Sequence, residues 1–411
     1  SFDILVAGAG TAGVCAAIQA ARAGASVCLV EKNGIPGGTI TAAGIAYPGI
    51  FHAWGKQVIA GIGWELVERT RQESRDPLPN LCDTNLNEHW RYQVQIDPVI
   101  FAALCDEEFE KAGVTVKYHT MIGAAETAAD GVGLTLCGKD GLYPVFARRV
   151  IDCTGEAQVC VLCGCETQRG RESDGRCQPF SLPMTTYYEG KLHGQFVDSG
   201  FLDDPSPEGY SRALSGTMTG PMYLRDPFDP IDRVIAYSPR LGIREGRRIV
   251  GEENLRLRDY LEDALPGEAL FYACANLDKH GSDYGEESLE LQEWCCIGKM
   301  WDVRLAIPVP LGALIPKGYD GLLAAGRHLA VDHDLASAVR MKRDMQKCGE
   351  AAALAAAEAI RSGCRLKEID VQALRAALLK SGCLDPAPVQ MKRIRSREDS
   401  ENPRMDWLTD P

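Results

Sequence analysis

Three glycines near the start of the chain have the spacing that lets a backbone bind phosphates. Gly8, Gly10 and Gly13 lie in the run Gly-Ala-Gly-Thr-Ala-Gly, and the acid Glu31 follows. Because glycine lacks a Cβ, the first permits a tight turn, the second lets the backbone approach a pyrophosphate, and the third lets a helix pack closely on a strand. A carboxylate at Glu31 can accept hydrogen bonds from both hydroxyls of an adenosine ribose and would repel a 2′-phosphate. The spacing therefore predicts a site for an adenine dinucleotide with a free ribose.

The elements around these residues are the ones that such a site needs. Residues 2–7 are an apolar run typical of a buried parallel strand, and the alanine-rich residues 14–23 predict a helix. Residues 26–30 predict a second strand that ends at Glu31. The N–H groups and the positive dipole end of the helix would then face the phosphates. A glycine turn that binds nothing is the alternative, and the order of strand, turn, helix, strand and acid argues against it.

A second glycine-rich loop follows at residues 36–44, which read Pro-Gly-Gly-Thr-Ile-Thr-Ala-Ala-Gly. Gly37 and Gly38 let the backbone approach a ligand a second time, with Thr39 beside them. A nicotinamide-binding unit has no need of such a loop. An extended flavin cofactor can place its ribityl chain and ring against it, so the loop favours FAD over NAD.

The composition limits the class of protein and its partners. The 411 residues suggest about two domains with ample chain for a core, and the apolar and charged shares, 45% and 25%, are ordinary for a globular protein. A net charge of −13 argues against nucleic acid, whose phosphates need a basic surface. Because no window holds eighteen uninterrupted apolar residues, we expect no membrane span. The chain enters its first strand at once, so we also expect no leader.

Sixteen cysteines raise the question of metal binding. Cys160, Cys163 and Cys165 have a spacing that can hold zinc or an iron–sulfur cluster. Cys160 and Cys163 fall, however, on a stretch that predicts a buried helix, where cysteine acts as a small hydrophobe. We therefore expect no metal. The remaining cysteines are scattered, which indicates a reducing cytoplasm rather than a disulfide framework.

Further elements follow from apolar periodicity and from turn residues. The pattern predicts helices at 57–69, at 98–111 after an N-cap Asp97, around 243–261, and at 344–361 with Gly363 as its stop. It predicts strands at 114–118, a β-meander at 121–146, a strand that runs into a Thr-Gly turn at 154–155, and strand-like runs at 304–325. Residues 167–301 have no alternation of strand and helix, and we interpret them as a substrate-facing domain.

Four motifs together resemble the glutathione-reductase-like FAD flavoproteins. They are the glycine run with Glu31, the Pro-Gly-Gly-Thr loop, Ile-Asp-Cys-Thr-Gly-Glu at 151–156 and Leu-Ala-Ala-Gly-Arg at 323–327. Within that group the chain is similar to the bacterial FAD-dependent oxidoreductase family with a Gly-Gly-Thr-x-Thr-x-x-Gly loop, over about residues 1–385. One departure is Asp152-Cys153-Thr154-Gly155-Glu156, where the family usually has Asp-Ala-Thr-Gly-Asp. The change is mild.

The resemblance implies an α/β fold with a Rossmann-like FAD-binding domain and an inserted β-rich substrate domain. The FAD-binding domain would be discontinuous (1–165 and 302–385), the insert would span 166–301, and 386–411 would form a C-terminal tail. The residues implied to contact FAD are Gly8, Gly10, Gly13, Glu31, Lys32, Gly37, Gly38, Thr39, Ile122, Thr154, Gly155, Gly326 and Arg327.

The resemblance also implies redox chemistry on a small polar molecule. Because only one glycine fingerprint is visible, we expect hydride to pass from a CH–OH group to the flavin, with a base that removes the hydroxyl proton. His52, in the aromatic loop 47–55, and His328 and His333 are the candidate bases, and a structural histidine is the alternative for each. Arg340 is a candidate to bind a substrate carboxylate, with a salt bridge as its alternative.

Two other functions stay open at this point. One is a flavin reductase or monooxygenase that uses transiently bound NAD(P)H, and the other is a flavin-binding partner protein without catalysis. We expect a small-molecule substrate and no nucleic acid partner. The sequence does not identify the electron acceptor, and it leaves a homo-oligomer open.

Overall fold

The computed structural model describes residues 1–53, 55–82, 89–188, 191–223, 233–265, 267–297, 303 and 305–385. The predicted tail, residues 386–411, and Trp54 of the aromatic loop lie outside the described residues. The strands are β1 (Phe2–Ala7), β2 (Val27–Val30), β3 (Gly49–Ile50), β4 (His52–Ala53), β5 (Lys56–Gln57), β6 (Gln93–Val94), β7 (Thr115–Lys117), β8 (Met121–Ala128), β9 (Gly131–Gly138), β10 (Gly141–Asp152), β11 (Thr167–Arg169), β12 (Phe180–Tyr188), β13 (Lys191–Gly200), β14 (Arg233–Tyr237), β15 (Arg247–Ile249), β16 (Ala269–Ala275), β17 (Leu305–Pro310) and β18 (Leu322–Ala324). The helices are α1 (Thr11–Arg22), α2 (Ile62–Glu73), α3 (Pro98–Ala112), α4 (Gln158–Leu162), α5 (Pro207–Tyr223), α6 (Leu257–Leu261), α7 (Leu289–Ile297), α8 (His333–Val339), α9 (Lys342–Ser362) and α10 (Val371–Ser381).

The main sheet is parallel where it approaches the glycine turn. Strands β7, β2, β1 and β10 are neighbours in that order and pair in parallel, and β18 pairs in parallel with the end of β10. The first half of β10 pairs antiparallel with β9, which pairs antiparallel with β8. The strands predicted at 2–7, 26–30 and 114–118 and the meander at 121–146 are therefore confirmed.

The long helix α9 covers the helix that follows the glycine turn. A Cβ on Gly349 would lie 2.0 Å from the main-chain oxygen of Ala12 in α1, so the two helices cross closely only because this residue is glycine. The helix stops at Gly363, which adopts a left-handed conformation with φ of +66°, as predicted. No helix in the described ranges is long and apolar enough to cross a membrane.

The remaining strands form small antiparallel sheets. Strand β12 lies between β13 and β14, β16 pairs with β17, and β11 pairs with β15. The main hydrophobic core extends from β1 and α1 to β16 and β17, whereas Leu182 and Met184 form a second, small cluster. The division into domains at 165–166 and 301–302 stays a prediction.

Two predicted helices differ from the structure. The helix predicted at 57–69 begins only at Ile62, because β5 pairs with β4 and Gly61 has a φ of +98° that no helix adopts. The helical region predicted around 243–261 is wrong for its first part, since Arg247–Ile249 is a strand paired with β11 and only the short α6 is helical. In the first place a local hairpin delays the start of the helix, and in the second a pairing partner distant in sequence outweighs local propensity.

Candidate cofactor and active site

A cleft opens where the parallel strands of the main sheet end. Its lining includes Ala7 and Val30, the last residues of β1 and β2, and Cys153 and Ala325, which directly follow β10 and β18. Its volume is about 960 Å³, including space open to solvent. Ligands of open α/β sheets bind at this edge, where the connections diverge. The cleft therefore lies where a cofactor of such a sheet binds.

The glycine turn forms one wall of the cleft, and two of its residues cannot carry a side chain. A Cβ on Gly13 would lie 1.8 Å from the main-chain oxygen of Gly8, and a Cβ on Gly8, whose φ is +98°, would lie 2.8 Å from that of Cys153. Helix α1 begins at Thr11 after Gly10, which provides no side-chain cap. The N–H groups of its first turn are therefore available to an anion in the cleft.

The second glycine loop is held directly against this turn. The N–H of Gly37 donates to the main-chain oxygen of Ala9 at 2.7 Å. A Cβ on Gly38, whose φ is +54°, would lie 2.8 Å from the Cα of Gly10. Gly38 and Thr39 line the cleft as a result, whereas Gly37 lies behind the lining.

Glu31 is buried at the end of β2 and faces the cleft. Its Oε2 accepts a hydrogen bond from the Ala9 N–H at 2.8 Å, and its Oε1 accepts one from the Asn33 N–H at 2.8 Å. These bonds fix the carboxylate. Since each carboxylate oxygen can accept more than one hydrogen bond, capacity is left for ribose hydroxyls.

Asp152, at the end of β10, shapes the turn that presents Thr154 and Gly155 to the cleft. Its Oδ1 accepts from the N–H and the hydroxyl of Thr154 at 2.9 and 2.6 Å, and its Oδ2 accepts from the N–H groups of Val159 and Cys160 at 2.8 and 3.1 Å. Burial acts to raise the pKa of Asp152, but the charge and hydrogen bond of His328 and the bonds from Thr154 outweigh it and lower the pKa to about 2. Asp152 is therefore a fixed, ionised anchor.

Three cations lie along the cleft near Glu31. Lys32, Arg240 and Arg327 all belong to the lining. The Nη2 of Arg327 donates to the Oε1 of Glu156 at 3.1 Å, and the hydroxyl of Tyr210 donates to the same carboxylate at 2.9 Å. The wall is thus positively charged beside the glycine turn.

At the α9 end of the cleft, Arg340, Lys342 and Met345 complete the lining. Arg340 makes the salt bridge that was its alternative, because its Nη2 donates to the main-chain oxygen and to Oδ2 of Asp278, each at 2.7 Å. Lys342 is half-buried at the first position of α9. Burial, followed by the charge of Arg340, lowers the pKa of Lys342 to about 7. This end of the cleft therefore holds a fixed cation and an amine that is partly neutral at neutral pH.

The three candidate histidines are not part of the cleft lining. The ring of His52 packs edge-on against Trp64, with centroids 4.8 Å apart, and burial lowers its pKa to about 4. His328 is fully buried, and its Nε2 lies 2.9 Å from the main-chain oxygen of Asp152. His333 is held between Glu245 and Glu287, at 2.9 and 3.0 Å. Their role as bases stays a prediction, and the structure does not bring them together.

The cysteines and the acids give different results for metal binding. Cys160, Cys163 and Cys165 form no disulfide. The hydrogen bond with the Cys165 thiol and burial raise the pKa of Cys160, and burial raises that of Cys163, which disfavours the thiolates that metals need. Within the described ranges, Glu287, His333 and Asp334 offer ligand atoms within 4.8 Å of one another. The Oε1 of Glu287 already contacts the Lys279 amine at 2.9 Å and the Arg171 guanidinium at 3.0 Å, and these cations would repel a metal ion.

The structure brings most of the predicted cofactor residues to one cleft. The lining contains Gly8, Gly10, Glu31, Lys32, Gly38, Thr39, Ile122, Thr154, Gly155, Gly326, Arg327 and also Arg340, while Gly13 and Gly37 lie directly behind it. Arg240 and Lys342 also line the cleft and were not predicted from the sequence. Lys342 could have been found from the sequence, because a basic residue in the first turn of a helix opposes the helix dipole. Such an unfavourable position indicates a role other than helix stability.

These residues fit FAD. The glycine turn leaves backbone room for a diphosphate, since a Cβ on Gly10 would have only one neighbour within 4 Å, at 3.9 Å. The uncapped start of α1 and the nearby cations supply positive charge, and Glu31 supplies an acceptor for a free ribose. Residues Gly8, Gly10, Glu31 and Arg327 would hold the adenosine diphosphate half, and the loop at Gly38 the ribityl side.

A comparison with protein families matches nearly the whole described chain. The model of the family described as FAD dependent oxidoreductase matches residues 3–213 and 210–378. No curated protein sequence matches the chain significantly.

A comparison with solved structures finds similar chains at low identity. The OxyS anhydrotetracycline hydroxylase from Streptomyces rimosus is 17% identical, with 60% of this chain and 53% of that chain covered and a TM-score of 0.38. The p-nitrophenol 4-monooxygenase PnpA from Pseudomonas putida DLL-E4 is 12% identical, with 89% and 82% covered and a TM-score of 0.44. A triple mutant of the flavin-dependent brominase Bmp2 is 13% identical, with 92% and 84% covered and a TM-score of 0.45. The chain thus spans about half of OxyS, and likeness at this level indicates neither substrate nor reaction.

Proposed function

The chain belongs to the family of FAD dependent oxidoreductases, and from this premise we propose that it oxidises a CH–OH group of a small polar substrate. When bound, FAD supplies the acceptor for the hydride that leaves the substrate carbon. The observation that carries the proposal is the pairing, at the α9 end of the cleft, of the fixed Arg340 guanidinium with the Lys342 amine of pKa about 7.

Lys342 is the proposed base. With a pKa of about 7, much of its amine is neutral at neutral pH, and the neutral Nζ can accept the hydroxyl proton as the C–H bond breaks with its electron pair. The substrate C–O bond becomes a carbonyl, and the proton stays on Nζ until solvent removes it. Among the described residues, Lys342 makes no hydrogen bond or ion pair that would have to be broken first.

Arg340 is proposed to bind a carboxylate of the substrate. Asp278 holds one nitrogen of the guanidinium, which leaves the other donors for a ligand in a fixed orientation. An arginine held in this way loses little side-chain entropy on binding a carboxylate. The substrate class that fits both side chains is a small hydroxy acid.

The predicted histidine bases are proposed to act from behind the lining, where they fix the residues of the cleft. His328 is the clearest case, since it contacts Asp152, which in turn positions Thr154 at the cleft. His52 and His333 pack against Trp64 and between two carboxylates, respectively. A direct role would require each ring to leave these contacts.

The proposal is tested by mixing the oxygen-free flavoprotein with a series of hydroxy acids and with their amides, and following the loss of flavin absorbance. We expect bleaching by a hydroxy acid, a rate that rises with pH through about 7, and a loss of this rise in Lys342→Gln. The matched control is Lys367→Gln, at an exposed lysine.

Other outcomes of the same assay separate the proposal from its alternatives. Bleaching by NADPH or NADH alone would favour the flavin reductase or monooxygenase, and no bleaching by any reductant would favour a partner without catalysis. If His52→Ala, His328→Ala and His333→Ala all bleach at the parent rate, a histidine base is excluded. If Lys342→Gln keeps the parent pH profile, Lys342 is not the base.

A further inference from the structure

Arg240 reaches the cofactor cleft from a segment that is distant in sequence from the glycine turn. The segment follows β14 and is fixed to the N-terminal unit, because the hydroxyl of Ser238 donates to the main-chain oxygen of Ala42 at 3.2 Å. The N–H of Arg240 in turn donates to the Ser238 hydroxyl oxygen at 3.1 Å. The segment therefore sits beside the Gly-Gly-Thr loop and delivers the Arg240 side chain to the cleft.

The charges around Arg240 are those of an anion site. Burial lowers the pKa of the half-buried Arg240, the charge of Glu31 acts against this, and the charge of Arg327 acts with it. Lys32 behaves in the same way: desolvation lowers its pKa, and Arg240 adds to the effect. Lys32 is exposed as a residue, whereas Arg240 is half-buried.

The nearby carboxylates are engaged elsewhere. Glu31 accepts from the Ala9 and Asn33 N–H groups, and Glu156 accepts from Arg327 and Tyr210. In the part of the chain that the structure describes, neither the Arg240 guanidinium nor the Lys32 amine forms a hydrogen bond or an ion pair. A half-buried, unpaired guanidinium in a cleft is costly unless an anion binds there.

We propose that Arg240, together with Lys32 and Arg327, binds the diphosphate of the dinucleotide. The inference rests on the same cleft holding FAD and extends it to a residue outside the glycine turn. Glu31 excludes a second phosphate on the ribose by repulsion, which leaves the diphosphate as the anionic group of the cofactor. The glycine turn gives this diphosphate backbone N–H groups, and the segment after β14 gives it a guanidinium that can bond two phosphate oxygens.

The test is the affinity of flavin-free full-length protein for FAD, ADP and adenosine, measured by calorimetry in the parent and in Arg240→Gln. We expect Arg240→Gln to bind FAD and ADP at least tenfold more weakly and adenosine equally well, because only the first two carry a diphosphate. Arg240→Lys should recover part of the loss. We also expect the affinity of the parent for ADP to fall with salt more steeply than that of the variant. The matched control is Arg256→Gln, at an exposed arginine outside the cleft.

Three results would overturn the inference or separate it from the proposed function. Unchanged FAD and ADP affinity in Arg240→Gln would overturn it, as would an equal loss for ADP and adenosine, which would place Arg240 on the nucleoside. Thermal unfolding of the variants at the parent temperature shows that any loss is local. If the parent binds ADP but neither binds FAD nor reacts with a hydroxy acid, the anion site stands and the proposed function fails.

Discussion

The substitution Asp152→Asn tests whether one buried carboxylate fixes the turn at the end of β10. Asp152 is fully buried and accepts hydrogen bonds from Thr154, Val159 and Cys160, two on each oxygen. Asparagine has nearly the same shape as aspartate but only one acceptor oxygen. Its amide NH₂ group would therefore face the two donors that now bond to the second carboxylate oxygen, and these donors would lose their acceptor. The turn should therefore loosen, and with it the position of Thr154 and Gly155 in the cleft.

The magnitude follows from the lost acceptors and from the lost charge. Each buried donor left without a partner costs about 1–3 kcal/mol, and two are affected. Independently, the lowering of the Asp152 pKa from 3.8 to about 2 corresponds to about 2 kcal/mol of stability for the ionised form. Because both figures include the hydrogen bonds from Thr154, they are not added, and we expect a loss of about 2–6 kcal/mol at pH 7.

Urea unfolding followed by circular dichroism measures this loss. Since the folded pKa lies below the unfolded one, the stabilisation is present above about pH 4 and lost as the pH falls towards 2, so the difference between parent and variant should shrink over that range. Asp140→Asn, at an exposed aspartate in the turn between β9 and β10, is the matched control. An Asp152→Asn midpoint equal to that of the control would refute the reasoning.

Three further predictions concern other parts of the site. Glu350 is buried, its pKa is raised to about 8 by burial, and its Oε1 accepts a hydrogen bond from the Ile62 N–H at 2.9 Å. The parent should therefore lose up to about 5 kcal/mol of stability as the pH rises from 4.5 to 8. Urea titrations at several pH values should show a smaller loss for Glu350→Gln, which cannot ionise. Gly13→Ala should weaken FAD binding by tenfold or more in calorimetry, because its Cβ would lie 1.8 Å from the oxygen of Gly8. Asp278→Asn should shift the rise of the bleaching rate to lower pH. The reason is that the charge of Asp278 raises the pKa of Lys342, whereas burial and the charges of Arg340 and Arg343 lower it. An unshifted pH profile would contradict this.

The sequence was informative where the physical cause is local. The glycine turn needs residues without a Cβ within a few positions of one another, and the close contact of Gly13 with Gly8 is such a short-range requirement. The same holds for Gly363, which ends α9 in a left-handed conformation, and for Asp97, whose side chain caps α3. The cofactor side of the cleft was therefore accessible without a structure.

Residues whose roles depend on distant partners were not accessible. Arg240 reaches the cleft on a segment that Ser238 ties to Ala42, a contact across 196 residues. The histidines show the opposite error: nearness in sequence to a binding loop does not fix where a side chain points, and His328, two residues after Gly326, turns into the core towards Asp152. Sequence spacing places a backbone, whereas packing decides the direction of each side chain.

The start of α9 shows why the chemistry should lie at this end of the cleft. Lys342 and Arg343 occupy the first turn of the helix, where their charges oppose the dipole and cost stability, and the first turn has no side-chain cap. Burial and, after it, the charges of Arg340 and Arg343 lower the pKa of the Lys342 amine to about 7, against the opposing charge of Asp278. A positive field that makes lysine a base also attracts an anionic substrate and stabilises negative charge as it develops there. The start of α9 would thus supply Lys342 as the base and place it beside Arg340, which binds the substrate carboxylate. If the substrate proves not to be an anion, the proposed roles of both Arg340 and Lys342 are therefore wrong.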